Sequence, residues 1–233
     1  MRNKTIFIML ILVTVFALTA CTKNNATKND DAIKFKEEYE ALNRKTNSSG
    51  RTHRSISIDE DNPFVYITAE ELLKKINNEE TFYVYFGSKL CPWCRSVIEK
   101  AIEVAKAKGI TTIYYVDVWD DEGNEILRDK YLLNPDNELE QAIKAEEAYY
   151  EILNKFDNVL SNYTLKDANG NQVDVGEKRI YAPNFIYVDK GIAISLVSGI
   201  SSKQEDSRGD LTDEILEDET NIFNDFFEED CGC

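Results

Sequence analysis

The stretch from Phe82 to Gly109 constrains this chain more than any other. Phe82-Tyr83-Val84-Tyr85-Phe86 is apolar throughout, as a strand covered on both faces should be. Gly87-Ser88 breaks it, and Cys91-Pro92-Trp93-Cys94 follows. Val97, Ile98, Ala101, Ile102, Val104 and Ala105 then recur at helical spacing up to Gly109. The cysteine pair therefore falls where a buried strand hands over to the first turn of a helix. Unpaired N–H groups and the positive end of the dipole favour a thiolate there, at Cys91. Cys94, one turn on, points the same way and can close a disulfide onto it. A nucleophilic thiolate with a resolving thiol in reach is a dithiol–disulfide exchange site. The same spacing is also half of a zinc site, which needs four ligands. The remaining candidates are Cys231, Cys233 and the lone His53, and a Cys-Gly-Cys pair is unusual spacing for zinc. No metal and no cofactor is expected; two sulfurs suffice.

On either side of this unit the elements alternate. Phe64-Val65-Tyr66-Ile67 reads as a strand, and Thr68 with Glu71 as a capping box opening a helix to Asn77 that buries Leu72, Leu73 and Ile76. Ile110 to Val118 reads as the third strand. Strand, helix, strand, helix, strand predicts parallel pairing with right-handed crossovers. An insert follows at about 120–176, with helices expected over Asp120–Tyr131 and Asn137–Leu160, separated at Asn134-Pro135-Asp136-Asn137. The second carries Leu139, Ala142, Ile143, Tyr149, Tyr150, Leu153 and Phe156 as an apolar stripe. Asn169-Gly170 predicts a hairpin between Tyr163-Thr164-Leu165 and Gln172–Val175. A second hairpin joins 184–188 to 192–197 through Asp189-Lys190-Gly191, and Leu211–Phe227 is a last amphipathic helix.

The ends carry separate signals. Arg2 and Lys4 precede an apolar run, Ile6 to Leu18, too short to span a bilayer comfortably. Residues 1–20 are expected to be a signal peptide. Residues 21–58 read as a polar tether with a short helix over Ala32–Arg44, anchored by Ile33, Phe35, Tyr39 and Leu42. His53 falls in a basic polar loop of this stretch and is expected at the surface. The compact domain is expected over 59–228, and 229–233 form a Cys-Gly-Cys tail. Cys231 and Cys233 can serve as a shuttle dithiol, with Gly232 supplying the bend, or be plain terminal thiols. The formal charge is −16, and Arg2 and Lys4 are the only charges within 1–20, so loss of that segment leaves −18. That balance argues against nucleic acid and against anionic lipid as partners of the folded surface.

Two resemblances follow from these residues. Leu18-Thr19-Ala20-Cys21 resembles the lipobox of bacterial lipoproteins. It implies that Cys21 is diacylated and holds the chain on the extracytoplasmic face of the cell membrane, where dithiols can persist as disulfides. The order of elements, with Ala182-Pro183 just before a strand and hairpin, resembles the thioredoxin superfamily over roughly residues 60–228. It implies an α/β fold, a central mixed sheet flanked by helices, with a helical insert after the third strand. It implies a cis bond at Ala182–Pro183 beside the thiols, with Pro183 and Ala182 presenting backbone to a bound substrate chain. Trp93, beside the thiols, can stack on that substrate. Pro92 and the insert make the chain more similar to glutaredoxins and periplasmic disulfide oxidases than to thioredoxin itself. With the lipobox and the acidity, it resembles bacteriocin-transport accessory or thioredoxin-like lipoproteins. Thioredoxin carries a buried acid six residues before its first cysteine; here that position is Tyr85. Lys89 and Arg95 flank the thiols and are expected to favour a thiolate. The resemblance implies a thiol–disulfide oxidoreductase acting on protein or peptide thiols and disulfides, with a membrane or extracytoplasmic redox partner. A redox-inactive binding or accessory module for a secretion or bacteriocin system is the alternative.

Overall fold

The computed structural model describes residues 28–47 and 49–228. A helix over 28–40 (α1) precedes strand β1 (Phe64–Tyr66), helix α2 (Ala69–Asn77), strand β2 (Phe82–Gly87), helix α3 (Pro92–Ala107) and strand β3 (Ile113–Asp117). Strands β4 (Lys130–Leu133) and β5 (Leu139–Ile143), helix α4 (Glu147–Lys155), and strands β6 (Ser161–Lys166) and β7 (Gln172–Arg179) form the insert. Strands β8 (Asn184–Asp189) and β9 (Ile192–Val197) and helix α5 (Asp213–Glu228) complete the chain.

The central sheet has the order β1-β3-β2-β8-β9. β1 and β2 both pair with β3 in parallel, whereas β8 runs antiparallel to β2 and β9 to β8. The parallel start is as the alternation of elements predicted, and the mixed, helix-flanked α/β sheet is as the resemblance implied. Every residue of β2 is buried. Because side chains alternate across a strand, Tyr83 and Tyr85 enter one core and Phe82, Val84 and Phe86 the other. The first core is closed by Phe35 and Tyr39 of α1, by the apolar face of α3, and by Phe223, Phe226 and Phe227 of α5. The second is closed by Leu72 and Ile76 of α2 and Tyr149 and Ile152 of α4. The capping box is present: Glu71 N–H donates to Thr68 Oγ1 at 3.2 Å, and Thr68 N–H to Glu71 Oε2 at 3.0 Å.

Three expectations need correction. The stretch 21–58 is not only a tether, since Phe35, Tyr39, Ile56 and Ile58 are core residues. His53, expected at the surface, is 6% exposed. The insert is not the expected pair of helices either: a β4–β5 hairpin stands where helix was expected, and α4 covers only Glu147–Lys155. The cause is local. Asp120 Oδ1 accepts from the N–H groups of Glu122 and Asn124, and Asn134 Oδ1 from those of Asp136 and Glu138. Asp167 Oδ1 does the same for Asn169 and Asn171. In each loop the fourth residue (Gly123, Asn137, Gly170) has a left-handed φ. A side chain that takes the N–H groups two and four residues on offers the backbone a tight turn in place of a helix. Glu138-Leu139-Glu140-Gln141-Ala142, for all its helix propensity, is captured by that turn as the second arm of a hairpin.

Candidate functional site

Cys91 is the N-cap of α3 and Pro92 its first residue, where a missing N–H costs nothing. The Cys91 sulfur itself is the cap acceptor, receiving the Cys94 N–H at 3.4 Å. Cys91 N–H donates to Ser88 O at 3.1 Å, which folds the 88–91 link tightly onto the end of β2. Both thiols are free, Cys91 3% and Cys94 0% exposed. Their titrations are driven apart. The Cys94 side chain, hydrogen-bonded to the Cys91 sulfur, holds Cys91 below the ordinary thiol range against its burial; the Cys94 and Trp93 N–H groups and the Arg128 charge add to this. Burial and then the same pairing push Cys94 well above that range, against a hydrogen bond from Tyr85. One sulfur is prepared to be a thiolate and the other to hold its proton.

Pairing of β8 with β2 sets Asn184 opposite Phe86, which brings the preceding Ala182–Pro183 bond to the cysteine loop. That bond is cis, as the resemblance implied. The Cys91 thiol donates to Ala182 O at 3.4 Å. Asn184 fixes the loop by accepting from Tyr181 N–H at 2.7 Å and donating to Pro183 O at 2.8 Å. Pro183 is buried, whereas Ala182 and Trp93 are half-buried and pack against the α3-side core. The structure thus gathers Cys91, Cys94, Trp93, Ala182 and Pro183. Cys21, Cys231 and Cys233 lie outside the described residues, so the lipid anchor and the shuttle are proposals from sequence. Among the described residues no group of three or more metal-ligating side chains converges.

The two expected electrostatic neighbours do something else. Lys89 is committed to Asp121 at 2.6 Å and Glu38 at 3.5 Å. Arg95 is fully buried and points away, donating to Tyr39 O at 2.7 Å, Arg54 O at 2.5 Å and Asn43 Oδ1 at 2.8 Å. The cation acting on Cys91 is Arg128, at the start of the insert. Arg128 is 3% exposed; its guanidinium forms a fork on Glu125 at 2.6 and 2.8 Å and donates to Ile180 O at 3.0 Å, behind the proline loop. Arg179 joins the same Glu125 at 3.1 Å, and Trp119 Nε1 at 2.9 Å. Sequence reading missed Arg128. The available signal was an Arg spaced three residues after Glu125 in a segment read as a helix.

No protein-family model and no curated protein matches the chain. Among solved structures, thioredoxin O2 from Arabidopsis thaliana in its oxidised state is similar at 16% identity and a TM-score of 0.31, over 60% of this chain and 85% of that one.

Proposed function

We propose that this protein is a thioredoxin-like thiol–disulfide oxidoreductase. The observation that carries the reading is the placement of two free thiols at the first turn of α3, Cys91 as its N-cap receiving the Cys94 N–H and lying 3.4 Å from Ala182 O beside the cis Ala182–Pro183 bond. In the reducing direction the Cys91 thiolate attacks one sulfur of a substrate disulfide. An S–S bond forms between Cys91 and that sulfur, and the other substrate sulfur leaves as a thiolate. Cys94 then attacks Cys91, the Cys91–Cys94 bond forms, the second substrate sulfur leaves, and the Cys94 proton is released. Two electrons pass from the dithiol to the substrate; oxidation runs the steps backwards. Ala182 and Trp93 border Cys91 and are the surface on which a peptide chain would lie, with Pro183 shaping it.

The lipobox-like Leu18-Thr19-Ala20-Cys21 supports acylation at Cys21 and a place on the extracytoplasmic face of the cell membrane. No described helix is long and apolar enough to cross a membrane. Trapping tests the reading. Cys94→Ala should accumulate covalent adducts with a disulfide-bearing peptide, and Cys91→Ser should form none and lose turnover. Failure of Cys94→Ala to form any adduct would leave the alternative, a binding module without redox turnover.

A further inference from the structure

The insert takes hold of the loop that borders the thiols. Residues 180–183 join β7 to β8 and end in the cis Ala182–Pro183 bond, with Ala182 O 3.4 Å from the Cys91 sulfur. Ile180 is fully buried, and insert side chains occupy both of its backbone groups. Its N–H donates to Tyr149 Oη of α4 at 3.2 Å, and its carbonyl accepts from Arg128 Nη1 at 3.0 Å. Both holders are themselves fixed. Tyr149 is fully buried in the α2-side core. Arg128 makes two hydrogen bonds to Glu125, which also accepts from Trp119 Nε1 and Arg179 Nη2. A third hold lies one residue on. Tyr181 Oη donates to Asn162 O at 2.9 Å and accepts from Thr164 N–H at 3.2 Å. Both groups belong to β6, at the point where its register with β7 shifts. The Tyr181 ring also meets Tyr163 edge-on, with centroids 6.5 Å apart. A connecting loop ordinarily runs free over the surface; this one is held by three side-chain contacts, all of them to the insert.

We propose that Tyr149, Tyr181 and Arg128 are positioning residues, through which the insert holds the 180–183 loop in the form that receives a polypeptide disulfide. The inference rests on the exchange reading above and deepens it, because it assigns polypeptide rather than small disulfides as the substrate class. A peptide chain laid along Ala182 meets a loop that is already ordered, so binding does not have to fix the loop as well. A small disulfide needs only the Cys91 sulfur, and the position of the loop does nothing for it. The hold therefore acts on peptide binding and not on the sulfur chemistry. Removing the Tyr149 hydroxyl leaves the buried Ile180 N–H without its acceptor, while the ring still fills its place in the core. Removing the Tyr181 hydroxyl frees the loop from β6. Arg128 also carries charge toward the thiols, so the two tyrosines are the cleaner probes.

The test compares two disulfides with the full-length, pre-reduced protein in single-turnover mixing. One is a fluorescent peptide disulfide, varied in concentration; the other is hydroxyethyl disulfide. Tyr149→Phe and Tyr181→Phe should each raise the half-saturating peptide concentration by about fivefold, with the rate at saturation unchanged. The double variant should raise it further. Reaction with hydroxyethyl disulfide should keep its wild-type rate in all three. A merely structural role for the hydroxyls would lower the urea midpoint and leave peptide saturation where it was. Wild-type peptide saturation in both single variants would overturn the positioning role and leave exchange standing. Equal slowing with both disulfides would also overturn it, because the change would then lie at the thiols. Failure of the wild-type protein to react with either disulfide would overturn exchange itself.

Discussion

Arg128 shows how one side chain can serve both stability and chemistry. Its charge is buried with Glu125 and Arg179, and its third contact holds Ile180 O, two residues before Ala182. Arg128→Met leaves that carbonyl without its donor and removes a cation that favours the Cys91 thiolate. The sign is direct: losing a positive charge raises the Cys91 titration, so less thiolate is present at neutral pH and alkylation slows. At a pH above both titration midpoints the two rates converge. The pH dependence of iodoacetamide reaction checks this, and an unshifted profile would remove Arg128 from the electrostatics of the site. Breaking a buried pair costs up to about 3–5 kcal/mol, less here because Arg179 still meets Glu125. Urea denaturation reads that part separately. Lys89 and Arg95 were legible as cations near Cys91 in sequence, but which way each pointed was not. That is decided by acceptors contributed from distant stretches: Glu38 and Asp121 for Lys89, Tyr39 O and Arg54 O for Arg95.

At the level of elements, local chemistry decided more than hydrophobic periodicity did. The capping box at Thr68, the α3 start at Cys91 and the hairpin through Asn169-Gly170 were all readable, because each signal lies within a few residues. The break at Asn134 was readable on the same ground, but the helical spacing of Leu139, Ala142 and Ile143 hid that the segment after it pairs back as a strand. The β8–β9 turn illustrates the constraint well. Lys190 and Gly191 both have left-handed φ, which a two-residue hairpin of this twist requires. Gly191 also packs against the end of α2: its N–H donates to Glu80 O at 3.0 Å, and a Cβ on it would lie 2.3 Å from Ile76 O. Gly191→Ala meets backbone rather than a movable side chain, so it should cost about 2–4 kcal/mol in thermal or urea unfolding. A loss under about 0.5 kcal/mol would mean that the turn and α2 separate easily.

Across the whole molecule, the least expected feature is that α1 belongs to the core. Phe35 stacks on Tyr39 and Phe64 with centroids 4.3 and 4.2 Å away, and Tyr39 reaches Tyr85 beneath the thiols. The same stretch supplies Asn43 and Arg54 as acceptors for the buried Arg95 guanidinium. A chain begun at Ser57 therefore loses two large aromatic residues, worth about 3–5 kcal/mol each, and strands a buried charge. It should show no cooperative unfolding transition by circular dichroism, whereas the full chain unfolds cooperatively; a sharp transition in the short form would show that α1 is dispensable. Sequence by itself determined the strand–cysteine–helix unit, the parallel start of the sheet and the hairpin before the last helix, because those follow from periodicity and capping over short spans. Only the tertiary structure decided that α1 closes the core, that Lys89 and Arg95 are committed to partners other than the thiols, and that Arg128 is buried on Glu125 behind the proline loop. Those contacts join residues far apart along the chain, and neither spacing nor propensity records which distant partners folding will bring together.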